Sequence, residues 1–227
     1  MKNTYKMPEK EKTFILIAGA NASGKSSVIK PKHVAGRVEY YFDPDRFEDD
    51  PDFSHVTEKE ILTSKALEYR ERDLPSRFAI ECIDNLFMPE NKHIRNKGFA
   101  TESNLVTSRD FEKFREAKEY GMKTELYFVY VPLETVIQRE RIRAAKGEQK
   151  KIDLDRLIRR YDNGLSNIQP HIDSGNIDVI KIYDNSLGKG EEQLILHIEY
   201  GRTVYLHPEP PEWFKDAGIK IFHPNNG

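Results

Sequence analysis

Apolar residues in this chain gather into short unbroken runs, separated by longer stretches in which apolar and charged positions mix. Phe14 to Ala18 (FILIA) is apolar throughout and stops at a glycine, the pattern of a strand buried on both faces. Val38 to Phe42 (VEYYF), Gly98 to Glu102 (GFATE), Lys123 to Val131 (KTELYFVYV) and Asn176 to Tyr183 (NIDVIKIY) are predicted strands on similar grounds. The stretches between them are helical in character. Lys25 opens a helix that Pro31 cuts short or bends. Thr57 and Glu60 have capping-box spacing ahead of a helix reaching about Arg72, and Ser76 to Met88 follows as a second helix. Thr107 and Asp110 repeat that spacing, Phe111, Phe114 and Ala117 recur at core positions, and Gly121 closes the helix. Leu133 to Ala145 is an arginine-rich helix. Leu154 to about Ile172 is another, with Gly164 and Pro170 as its candidate interruptions.

Strands alternating with helices predict an α/β fold, a parallel sheet of five strands with helices on both faces. Gln193 to Leu206 (QLILHIEYGRTVYL) departs from that alternation. It reads as two strands about Tyr200-Gly201, a C-terminal β-hairpin, and Pro210 to Ile221 adds a short helix. The expected organisation is a main domain over residues 1–190 with 191–227 as a hairpin appendage, within the range of one globular domain at 227 residues.

Composition narrows the classes of function. The 36 Lys+Arg nearly balance the 38 Asp+Glu, so charge argues for neither a nucleic-acid nor a membrane partner. The single cysteine, Cys82, excludes an intramolecular disulfide and an all-cysteine metal site. No apolar run reaches the length of a membrane span, and the opening MKNTYKMPEKEK lacks the apolar core of a signal peptide. A cytoplasmic protein is the expectation.

Gly19-Ala20-Asn21-Ala22-Ser23-Gly24-Lys25-Ser26 fits G-x-x-x-x-G-K-[ST] without a mismatch. It follows an apolar strand and opens a helix, the context that motif requires. Glycines let the backbone curl until successive N–H groups face phosphate oxygens, and the helix start adds partial positive charge. The pattern assigns Gly19 to Ser27 to a nucleotide, Lys25 to the β- and γ-phosphates of ATP, and the Ser26 hydroxyl to Mg²⁺. By itself the loop does not separate a kinase from a motor, a GTPase or a switch.

Acids at strand ends extend the site, because ligands of open parallel sheets bind beyond the carboxyl ends of the strands. Asp43 and Asp45 close the second strand. Asp45 is the candidate base for an attacking hydroxyl, and Asp43 a metal or water ligand. Glu102 closes the third strand, where a carboxylate binds acceptor hydroxyls or helps to hold Mg²⁺ through water. Four apolar residues followed by an acid, the Walker B pattern, do not occur strongly, which weakens a motor reading. Arg139 and Arg143 share one helix face, and Arg156, Arg159 and Arg160 follow across a polar break. Such arginines stabilise the charge that develops on a moving phosphoryl group, or else make a solvated face with Glu134 and Glu140.

These pieces, taken together and in order, resemble the zeta-toxin-like P-loop kinases. The resemblance rests on GANASGKSS, DPDRF, FATES, Arg139-x-x-x-Arg143-x-x-x-Gly147, RRYDNGLSNI at 159–168 and IYDNS at 182–186. It implies a kinase-type sheet, ATP as donor and a hydroxyl acceptor, which in the toxins is UDP-N-acetylglucosamine. It also implies Asp45 as catalytic base, Glu102 as acceptor-side acid, and Arg143 and Arg160 as phosphate contacts beside Lys25. A separate antitoxin-like protein is the partner it brings with it. Gly147-Glu148-Gln149 replaces the Gly-Gly-His of many members, and Glu102-Ser103-Asn104 replaces Glu-Thr-Thr, so the acceptor does not carry across. The expected function is an ATP-dependent kinase acting on a small-molecule hydroxyl. An ATP-dependent switch that binds a partner through the hairpin is the alternative. Asp184 to Ser186 is read either as an adenine-side contact or as a turn.

Overall fold

Six consecutive residues, Thr13–Ala18, are buried, as the unbroken apolar run requires. They form strand β1 in the computed structural model, which describes residues 12–29, 33–43, 63–72, 74–88, 91–105, 107–147, 153–188 and 190–221. Among these residues the other strands are β2 (Tyr40–Phe42), β3 (Phe99–Ser103), β4 (Lys123–Tyr130), β5 (Val179–Asp184), β6 (Gln193–Glu199) and β7 (Arg202–Leu206). The helices are α1 (Lys25–Ile29), α2 (Ser64–Glu71), α3 (Pro75–Leu86), α4 (Lys92–Arg95), α5 (Ser108–Glu119), α6 (Leu133–Ala145), α7 (Leu154–Ser166), α8 (Ile168–Asp173) and α9 (Glu212–Asp216).

The strands make one sheet in the order β2-β3-β1-β4-β5-β6-β7. Pairing is parallel from β2 to β5 and antiparallel from β5 to β7. Seven strands stand where five were expected. The hairpin continues the sheet, with β6 running along β5 from Val179 opposite Glu199 to Asp184 opposite Gln193. Without β6 the outer edge of β5 would expose a row of unpaired backbone groups, which folded proteins avoid.

Alternation along β1 divides the interior. Phe14, Leu16 and Ala18 enter the larger core with Phe78 of α3, Phe114 of α5, Ile180 and Ile182 of β5, and Phe214 of α9. Ile15 and Ile17 enter a second core with Val28 and Ile29 of α1, Val129 and Tyr183. Both faces of the sheet are thus covered around β1, as a parallel sheet demands. The strand order reverses about β1, so the ligand crevice opens at its carboxyl end.

Local chemistry explains several departures from the predicted boundaries. The helix expected from 154 to 172 breaks at Asn167, between α7 and α8. Gly164 stays helical, and Pro170 falls in the first turn of α8, where a missing N–H costs nothing. Thr107 caps α5 without a side-chain bond, while the Asp110 carboxylate takes the Thr107 backbone N–H, so half of the capping box forms. The Thr57–Glu60 capping box and Pro31 lie outside the described residues.

Candidate active site

The phosphate loop leaves β1 in a conformation that small residues permit. Gly19 has φ +139°, and a Cβ there would sit 2.4 Å from the Val129 carbonyl oxygen. Gly24 has φ +94°, and its Cβ would meet Asn185 Nδ2 at 2.5 Å. Ala22, at φ 57°, takes the left-handed region without being glycine. The loop therefore lies directly on the ends of β4 and β5.

Side chains from distant parts of the chain hold it there. Lys25 Nζ donates to the carbonyls of Gly19 and Ala20, each at 3.1 Å. The Ser27 hydroxyl donates to Gly24 O at 3.0 Å. Asn185 Nδ2 donates to Ser23 O at 2.8 Å, and the Arg139 guanidinium donates to Ala22 O at 3.1 Å. Asn21 and Ser23 are buried within the loop.

An acidic group closes the other side of the crevice. The Ser26 hydroxyl donates to Glu102 Oε1 at 2.7 Å, and Lys25 Nζ stands 3.9 Å from Glu102 Oε2. The Tyr41 hydroxyl donates to the same Glu102 Oε1. Burial, and then the negative charge of Glu102, push the Tyr41 phenol far above its ordinary range, with Asp43 adding to the shift. Tyr41 therefore stays a protonated donor at any working pH. Asp43 is buried at the end of β2. Ser26, Glu102 and Asp43 present oxygen donors of the kind a hard cation takes, so these residues fit Mg²⁺, which characteristically keeps water and phosphate oxygens as further ligands. Among the described residues no three His, Cys, Asp or Glu side chains gather into a metal cluster.

The predicted arginines separate. Arg139 touches the phosphate loop through Ala22 O, Arg143 stands 3.7 Å from Glu140, and Arg160 is half-buried on α7. Between α6 and α7 lies a cavity of about 820 Å³ lined by Ile137, Arg141, Ala144, Leu154 and Leu157 among others. Asp45, Glu148 and Gln149 lie outside the described residues.

Just past Glu102 the chain is pinned at several points. Ser103 Oγ donates to Asp110 Oδ2 at 3.0 Å and accepts the Leu105 N–H at 2.9 Å. Leu105 itself has φ 59°. From α7, Asn167 Nδ2 donates to Leu105 O at 2.6 Å, and a Cβ on Gly164 would come within 2.6 Å of Asn104 O. The arginine-bearing helix α7 thus rests on the segment where the acceptor was expected.

Three functional contacts escaped the sequence: Tyr41 on Glu102, Arg139 on the loop, and Asn185 on Ser23. For Tyr41 a signal existed, since strand alternation aims it away from its buried neighbours Tyr40 and Phe42. Asp184 to Ser186 does make a turn, with Ser186 N donating to Asp184 Oδ1 at 2.8 Å.

Known proteins share this chain's family pattern and its fold. The zeta toxin family matches residues 1–192. No curated protein matches the chain. The crystal structure of the AvrRxo1-ORF1:ORF2 complex with ATP superposes on 96% of this chain with a TM-score of 0.64 at 19% identity. The chain spans 65% of that protein's length. A structure from the PezAT chromosomal toxin–antitoxin system of Streptococcus pneumoniae covers 97% of this chain and 82% of its own, with a TM-score of 0.55 at 15% identity. At such identities the likeness shows a common fold. With the family matched over residues 1–192, the chain belongs to the zeta toxin family.

Proposed function

We propose that this protein is an ATP-dependent kinase that transfers the γ-phosphoryl group to a hydroxyl of a small molecule, with a nucleotide sugar as the acceptor class. The observation that carries the reading is the convergence of Lys25, Ser26 and Tyr41 on Glu102 at the mouth of the phosphate loop. A phosphate-binding loop flanked by a carboxylate suits transfer to a bound acceptor.

Lys25 exchanges its carbonyl partners for phosphate oxygens and offers them its charge. Mg²⁺ held by Ser26, with Asp43 in support, would neutralise the phosphate oxygens. Glu102 positions both Ser26 and Lys25, and orients the acceptor hydroxyl from the end of β3. Asp45 takes the proton of that hydroxyl as its oxygen bonds to the γ-phosphorus and the bond to the bridging oxygen breaks, leaving ADP. Arg139, Arg143 and Arg160 supply guanidinium charge from α6 and α7 as the phosphoryl group moves. A separate antitoxin-like partner is in keeping with the ORF1:ORF2 complex and the PezAT system.

Acceptor-dependent ADP formation tests the reading. Asp45→Asn is expected to abolish it while ATP binding is kept. Hydrolysis that proceeds equally with and without any acceptor, and survives Asp45→Asn, would favour a second reading, an ATP-dependent switch. That alternative draws on the exposed Tyr200 and Val204 of the hairpin, which suit a docked protein.

A further inference from the structure

The family match stops at residue 192, yet the chain beyond it reaches back toward the phosphate loop. Trp213 of α9 stacks on Tyr130, ring centroids 3.8 Å apart and 7° from parallel, and its indole N–H donates to Asp184 Oδ2 at 2.7 Å. The other oxygen of Asp184 receives the Ser186 N–H at 2.8 Å, and the Ser186 hydroxyl as well. Both ends of this short turn are thereby fixed. Between them sits Asn185, whose backbone N–H donates to Tyr130 O at 2.9 Å and whose side chain donates to Ser23 O at 2.8 Å. Asn185 is 2% exposed, and it lies so close to Gly24 that no Cβ fits between them. Its Oδ1 and the Ser23 hydroxyl are buried without hydrogen-bond partners.

We infer that Asn185 is a positioning residue that latches the phosphate loop in its nucleotide-binding shape, and that Trp213 braces the latch through Asp184. The hairpin and α9 then act on the donor site through one chain of contacts, Trp213 to Asp184 and Tyr130, and from these through Asn185 to Ser23. A loop built on Gly19, Ala22 and Gly24 in the left-handed region has no ladder of its own to keep its carbonyls turned outward. The Asn185 amide supplies that restraint at Ser23, leaving the neighbouring N–H groups free for phosphate. The restraint matters for function only if the loop binds nucleotide, so in that respect the inference rests on the function proposed above.

The experiment pairs two readouts on the whole 227-residue chain. Amide hydrogen exchange of the phosphate-loop peptide is followed without nucleotide, and ATP affinity is measured with Mg²⁺ by calorimetry. Asn185→Ala is expected to speed exchange in the loop and to weaken ATP binding about tenfold, the scale of one buried hydrogen bond. Asn185→Asp keeps the shape but turns a donor into an acceptor facing a carbonyl, so it is expected to bind ATP more weakly still. A packing role would instead leave the near-isosteric Asn185→Leu close to wild type, since it fills the same buried space without the amide donor. Trp213→Phe retains the ring stack and loses the indole N–H. It is expected to move both readouts in the same direction by about threefold, with exchange elsewhere unchanged. Asn185→Ser, which keeps a hydroxyl donor, is the substitute should either first variant fail to fold, and its expected effect is smaller in the same direction. Trp213 is the chain's one tryptophan, so its emission is expected to shift when ATP binds. Loop exchange at the wild-type rate in the Asn185 variants overturns the latch. Wild-type rates in Trp213→Phe overturn the brace. Exchange that responds in a wild-type background that binds no ATP upholds the latch and sinks the nucleotide reading instead.

Discussion

The phosphate loop and the α6–α7 pair face the same crevice, but they are built on different terms. Around Gly19–Ser27 the loop's own side chains and two distant ones, Asn185 and Arg139, tie its carbonyls down, and two glycines stand where no Cβ fits. On α6 and α7 the arginines spread over partly exposed helix faces, and Arg139 reaches the loop. The donor half is pre-organised by close backbone approach. The other half depends on long side chains carried by partly exposed helices. The contrast teaches that substitutions at the loop should act as steric failures, and substitutions at the arginines as graded losses of charge.

The largest break in that contrast should come from Gly19→Ala. Its Cβ would enter the Val129 carbonyl, in a backbone region few L-residues adopt, so a loss of about 3 kcal/mol in stability or more than 100-fold in ATP affinity is expected. Denaturant melts and ATP calorimetry check both arms. Gly164→Ala ordinarily stabilises a helix, by about 1 kcal/mol. Here α7 lies against Asn104 O, so the same change should destabilise by about 2 kcal/mol and shift α7 off the segment following Glu102. A stabilised Gly164→Ala protein would mean that α7 does not rest there. Arg139→Ala should lower kcat/KM about tenfold, and Arg139→Lys should recover little of it, because a single ammonium replaces a planar fork. Equal losses at Arg139 and Arg141 would erase the distinction between the arginine on the loop and one on the neighbouring cavity.

The smallest effect concerns pH. His171 stacks on Phe111, its Nδ1 pairs with Asn167 O at 2.7 Å, and its Nε2 is buried without a hydrogen-bond partner. Burial holds this imidazole below its ordinary pKa, and His197 is lowered in the same way. The unfolded chain then binds more protons than the folded one. Stability is full above the ordinary histidine range and is lost as pH falls from there through the folded pKa. Unfolding midpoints should drop between pH 7.5 and pH 6, and the drop should shrink in His171→Phe. An unchanged drop would assign it to other groups.

How much of this was legible depended on distance along the chain. The phosphate loop is local, so eight adjacent residues declared it, and five parallel strands followed from apolar runs next to turn residues. The Asn185–Ser23 bond spans 162 positions, and the sequence offered Asp184 to Ser186 as an adenine-side contact or a turn, with no sign of a bond to the loop backbone. Likewise, hairpin alternation predicted β6 and β7 but not their junction with β5, because strand pairing depends on which edge lies open. Arg139 and Arg143 share a helix face, so periodicity could not choose between them. The packing of α6 against the loop chose Arg139 for the contact with Ala22. Of the acids, Glu102 was placed correctly at a strand end, while its bond to the Ser26 hydroxyl needed the register of β3 beside β1.

A phosphoryl donor site must pass label to an acceptor. Labelled phosphate followed from [γ-³²P]ATP into a pool of cellular small molecules tests it most directly, comparing wild type with Lys25→Ala. Label is expected in a small-molecule acceptor, removed by alkaline phosphatase, with transfer reduced about 10³-fold in Lys25→Ala. Label recovered solely as inorganic phosphate, at a rate no pool component changes, would contradict it.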